Sequence, residues 1–100
     1  MSEPLQALEM VLLYSELFRK EFSRWLTAHW KVFRTFEHLA VKGTQPGDVG
    51  KSARAIAEQM RDASVHIPVN GNYVPDMAQL FMLLHPEFDG LFALRKRKAA

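Results

Sequence analysis

From residue 5 to residue 42 the chain contains neither glycine nor proline, so nothing in that stretch forces the backbone out of a helix. Leu8, Val11, Ser15, Phe18, Phe22, Trp25, His29, Val32, Phe36 and Leu39 follow one another in steps of three and four, which puts them on one face of a helix. Ser2 is placed to cap this helix, with Pro4 in the first turn, where its missing N–H does no harm. One uninterrupted helix over that span would be ~55 Å long, about twice the width of a domain of this size. The helix must break or project beyond its own domain. The large aromatics favour a globular core, so a break is expected between residues 23 and 29, near Thr27. Leu12, Leu13 and Leu17 widen the apolar side near the start, which predicts more complete burial there.

The rest of the chain reads as shorter pieces. Residues 43–50 are rich in glycine and include Pro46, a loop composition. Residues 51–63 form a helix capped near Ser52, with Ala53, Ile56, Ala57 and Met60 inward. Val65, Ile67 and Val69 alternate with polar positions before Asn70-Gly71, compatible with a short β-hairpin near 65–73, its first arm kept to an edge by Pro68. Pro75 and Asp76 open a helix that runs to residue 84 and buries Met77, Leu80, Phe81 and Leu84. Pro86 stops it and starts a last amphipathic segment over residues 87–97. The expected class is mostly α: one small helical domain of four to five helices over residues 1–94, followed by a basic tail at 95–100.

Composition narrows the function. The chain is 48% apolar and 24% charged, the balance of a folded globular protein. It contains no cysteine, which removes disulfides, thiolate metal sites and cysteine nucleophiles. The start lacks a basic leader, and no apolar run approaches the ~20 residues that cross a bilayer; a cytoplasmic protein without membrane contact is expected. His29 and His38 would lie on opposite sides of a continuous helix, and His66 and His85 have no ligand at helical spacing, so no metal site is expected. Gly50-Lys51-Ser52 ends like a phosphate-binding loop, but Gln45 occupies the position where that motif needs its first glycine. No Gly-x-Ser-x-Gly elbow exists. These absences point to a non-enzymatic protein without cofactor.

Charge points to binding. Residues 1–18 carry three glutamates and no base, a net −3, whereas residues 19–42 carry +4 and the run Arg95, Lys96, Arg97, Lys98 another +4. Lys20, Arg24, Lys31 and Arg34 fall opposite the apolar stripe. With the tail they are the candidate contacts to nucleic acid, acting on phosphates rather than bases. Helices at 51–63 and 75–84 do not make an ordinary helix-turn-helix, because their connection is too long and the second helix exposes only Gln79 as a natural base reader. The alternative is a protein-interaction module, homodimeric in its simplest form, that uses Leu8, Leu12 and Phe18 of the apolar N-terminal helix and the tip formed by Asn70, Asn72 and Tyr73.

The string Ser52-Ala-Arg-Ala-Ile-Ala-Glu-Gln-Met-Arg61, Val69-Asn70-Gly71-Asn72-Tyr73, Met77-Ala-Gln-Leu-Phe-Met82, Pro86-Glu87, Gly90-Leu-Phe92 and Arg95 resembles a group of small bacteriophage and bacterial proteins with no assigned activity. In that group Asn-Asn-Asn-Tyr precedes a helix with Ala-Arg-Leu, then Pro-Glu and Phe-x-x-Arg. The likeness covers roughly residues 22–97. Gly71 stands where the group has asparagine, and Gln79 where it has arginine. The resemblance implies a phage or mobile-element accessory protein, a setting that tilts toward DNA binding or capture of a host protein.

Overall fold

A computed structural model describes residues 3–62 and 73–93. Five α-helices follow in order: α1 (Pro4–Leu13), α2 (Phe22–Ala28), α3 (Trp30–Val41), α4 (Ala53–Asp62) and α5 (Val74–Leu84). Short 3-10 turns occur at Ser15–Leu17 and Pro86–Phe88. The mostly helical class is as the apolar periodicity predicts. The hairpin expected near 65–73 lies outside the described residues except for Tyr73, whose backbone is helical (φ −90°, ψ −4°). Among the described residues the sole β contact is an isolated parallel bridge between Lys51 and Phe92.

The long apolar stretch breaks twice. The expected break falls at His29 (φ −126°, ψ 39°), which ends α2 and begins α3. Two residues earlier the Thr27 hydroxyl donates to the Ser23 carbonyl at 2.9 Å, a bond back into the helix that favours bending. A second, unforeseen break lies between α1 and α2. There Phe18 is extended (φ −124°, ψ 155°) after the first 3-10 turn. That excursion lets the Phe18 ring stack on Phe22 at 5.4 Å and lets Phe22 stack on Trp25 at 5.8 Å, all three buried. Tertiary packing of three rings outweighs the few tenths of a kcal/mol per residue by which propensity would continue the helix.

One hydrophobic cluster draws on every helix: Ala7 and Val11 of α1, Phe22 and Leu26 of α2, Phe33 and Phe36 of α3, Ile56 and Met60 of α4, Met77 and Phe81 of α5. Phe88, Leu91 and Phe92 complete it, Phe92 meeting Phe36 at 5.7 Å and Phe81 edge-on at 5.8 Å. The last segment does not continue as the expected helix over its described part. Gly90 takes a left-handed conformation (φ +82°) and ends the 3-10 turn, a geometry that glycine adopts without a Cβ penalty. The stronger burial predicted for Leu12, Leu13 and Leu17 is also corrected. Leu17 is half-buried, and Leu12 and Leu13 stand 71% and 70% exposed, because the 3-10 turn directs the chain away before α2 can cover them.

The end of α3 is closed from a distance. Its final carbonyls lack partners within the helix. The Thr44 hydroxyl donates to the Ala40 carbonyl at 2.8 Å. The Lys51 ammonium donates to the carbonyls of Ala40 (3.0 Å) and Lys42 (3.2 Å) and to the Thr44 hydroxyl oxygen. A cation at the negative end of a helix dipole is favourable in itself. The Lys51 amide donates to the Leu91 carbonyl at 2.9 Å, so one residue joins α3 and the 91–92 segment just before α4. Ser52 then caps α4, its hydroxyl accepting from the Ala55 amide at 3.1 Å.

Candidate nucleic-acid interface

Helix α3 is amphipathic. Val32, Phe33, Phe36, Glu37 and Ala40 are buried, and Lys31, Arg34 and His38 are exposed. Lys31, Arg34, Thr35 and His38 line a shallow surface depression, as their spacing on one helical face requires. Arg24 is exposed on α2, and Lys20 in the turn that leads into it. Among the described residues the ion pairs all involve His85. Among the described residues no carboxylate engages Lys20, Arg24, Lys31 or Arg34. Arg19, Lys42, Arg54 and Arg61 are exposed as well and add four bases that the sequence analysis did not single out. Arg95, Lys96, Arg97 and Lys98 lie outside the described residues.

The candidate partner contacts separate. Leu12 is exposed, Leu8 is half-buried, and Phe18 belongs to the core. Tyr73 is half-buried and stacks on Trp25 at 5.1 Å, with Phe22 at 6.0 Å; it holds α5 against α2 rather than forming a projecting tip. Asn70 and Asn72 lie outside the described residues. Leu5, which the pattern did not single out, and Leu13, expected inside, join Leu12 at the surface, because periodicity alone does not say which side of α1 the domain takes.

Two further groupings come from residues distant in sequence. His85 Nε2 lies 2.7 Å from Oε2 of the fully buried Glu37, and His85 Nδ1 lies 3.4 Å from Glu87 Oε1. The imidazole also rests against the Phe81 ring at 4.7 Å. This arrangement ties the turn after α5 to the middle of α3 and gives a buried carboxylate a donor. Sequence spacing pairs His85 with neither carboxylate, and Glu37 is 48 residues away. The second grouping is an open groove of about 650 Å³ along α4 beside the start of α5, lined by Ser52, Arg54, Glu58, Arg61, Pro75 and Phe92 among others. It mixes both charge signs with apolar carbon and presents no convergent set of catalytic groups. Among the described residues no cluster of three or more His, Asp or Glu could hold a metal ion, and no helix is long and apolar enough to cross a membrane.

Comparison with protein-family models, with curated proteins and with solved structures finds no match for this chain.

Proposed function

We propose that this chain is a non-enzymatic, cytoplasmic accessory protein of phage type that binds nucleic acid through Lys20, Arg24, Lys31 and Arg34 and through the basic run Arg95, Lys96, Arg97 and Lys98. The observation that carries this reading is the accessibility of the four helical-region cations together with the absence, among the described residues, of any carboxylate paired with them. A cation held by a carboxylate must give up that pair to meet a phosphate, whereas an unpaired one neutralises it directly and displaces the counterions condensed on the nucleic acid. The depression lined by Lys31, Arg34, Thr35 and His38 supplies two cations and a ring nitrogen on one face, a set suited to phosphate oxygens, while the Thr35 hydroxyl already donates to the Lys31 carbonyl at 3.0 Å. Arg34 carries the only guanidinium on that face, and α3 has no asparagine or glutamine beside it to read base edges, so contact with the phosphate backbone is the mode these residues favour.

Retention on duplex DNA as a function of salt tests the proposal. Each phosphate neutralised contributes about −0.9 to the slope of log K against log salt. Replacing Lys20, Arg24, Lys31 and Arg34 by glutamine therefore flattens the slope by about 3.6 if all four make contact. A wild-type protein with no measurable retention at low salt, or a variant with an unchanged slope, refutes the reading.

A further inference from the structure

The inner face of α1 is Ala7 and Val11, both buried against the domain. Its outer face carries three leucines and a glutamate. Leu5, Leu12 and Leu13 are 73%, 71% and 70% exposed, and their i, i+7, i+8 spacing sets them along one stripe with Glu9 between them. Scattered surface leucines need no explanation, but three exposed on one side of a ten-residue helix, Leu5 in its first turn and Leu12 with Leu13 in its last, are of the kind that marks a binding surface. Its electrostatic frame is one-sided. Glu3 just before α1, Glu9 within it and Glu16 in the turn after it are all exposed, and the first 18 residues contain no lysine or arginine.

We infer that this face of α1 docks a cationic amphipathic helix of another protein, its apolar residues covering Leu5, Leu12 and Leu13 and its lysines or arginines meeting Glu3, Glu9 and Glu16. Charge complementarity selects that occupant. A second copy laid antiparallel on α1 would bring Glu3 toward Glu16 and Glu9 toward its own equivalent, so like charges would face each other across the contact. An anionic lipid surface would meet the same repulsion, because interfacial helices of that type carry basic flanks. The outward face of α3 has the right sign but presents Lys31, Arg34, Thr35 and His38 in place of an apolar stripe, and so does not fill the role in a neighbouring copy. This surface uses none of the residues assigned to nucleic acid, and it stands or falls separately.

The probe is a leucine and lysine peptide of about five helical turns, leucines at alternating steps of three and four, against the same peptide with glutamate for every lysine. Titration onto the intact chain is followed by fluorescence anisotropy of labelled peptide. The lysine peptide is expected to bind at least about tenfold more tightly than the glutamate peptide. Leu5→Ser, Leu12→Ser and Leu13→Ser together should remove at least about tenfold of that affinity while Lys31→Gln with Arg34→Gln leaves it intact. Glu3→Lys, Glu9→Lys and Glu16→Lys together should reverse the preference between peptides, a result that does not depend on the serine variant. Equal affinity for both peptides, no saturable binding of the lysine peptide, or unchanged binding by the serine variant would each overturn the inference. So would a sedimentation mass of two chains that returns to one in the serine variant.

Discussion

Replacing Lys51 by methionine isolates the bond that closes α3. Methionine keeps the apolar stem of the side chain and removes the ammonium. Lost with it are the hydrogen bonds to the carbonyls of Ala40 and Lys42, at 3.0 and 3.2 Å, and the one to Thr44 Oγ1. Bonds from a charged donor are the stronger kind, contributing about 1.5–3 kcal/mol when buried. Here the side chain is only partly buried, and water reaches the Lys42 carbonyl, so a net of about 0.5 kcal/mol per bond is appropriate. The favourable placement of a cation at a helix C-terminus contributes about 0.5 kcal/mol more. The expected loss is about 2 kcal/mol, which for a domain of this length lowers the melting temperature by roughly 10 °C. Thermal and urea melts followed by circular dichroism measure it. Thr44→Val tests the same cluster, and the double variant should lose less than the two single losses combined, because both changes break the Lys51–Thr44 contact. A Lys51→Met protein that melts within about 2 °C of the parent would refute the assignment of Lys51 as the cap.

Two other perturbations follow from particular contacts. His85→Ala removes the imidazole that meets the buried Glu37 side chain at 2.7 Å and should destabilise the fold by about 1 kcal/mol, the net contribution of one hydrogen bond; a urea midpoint that does not move would contradict it. Gly90→Ala meets no atom within 4 Å of the new Cβ but keeps φ at +82°, so its loss of about 1 kcal/mol is purely conformational. Gly90→Asn should lose less, and equal losses for the two would show that the left-handed backbone is not the cause.

The elements that local pattern predicts best are those with one partner face. The helices expected at 51–63 and 75–84 correspond to Ala53–Asp62 and Val74–Leu84, with Ile56, Met60, Met77, Leu80 and Phe81 inward as their spacing demands. Where a helix is apolar on two faces the pattern does not say which is taken, and this is why the burial expected of Leu12 and Leu13 is not found. The break before α2 is equally hidden. It depends on Phe18 and Phe22 stacking in a conformation that no residue between Leu13 and Phe22 prefers strongly on its own. The cationic residues were legible as a set, and α3 groups Lys31, Arg34 and His38 as its period requires. Lys51 and Glu37 were not legible, because what defines each is a contact made across eleven and forty-eight positions of chain.

The interruption at His29 also shapes any footprint on a polyanion. Arg24 belongs to one short axis and Lys31 with Arg34 to another, so the distance from the first cation to the second pair is set by how two rods meet and not by a helical repeat. At 1.5 Å per residue these rods are only ~10 Å and ~18 Å long. Each follows at most a few phosphates before the backbone of a duplex curves away, which makes the expected protected region short and discontinuous rather than a single extended track.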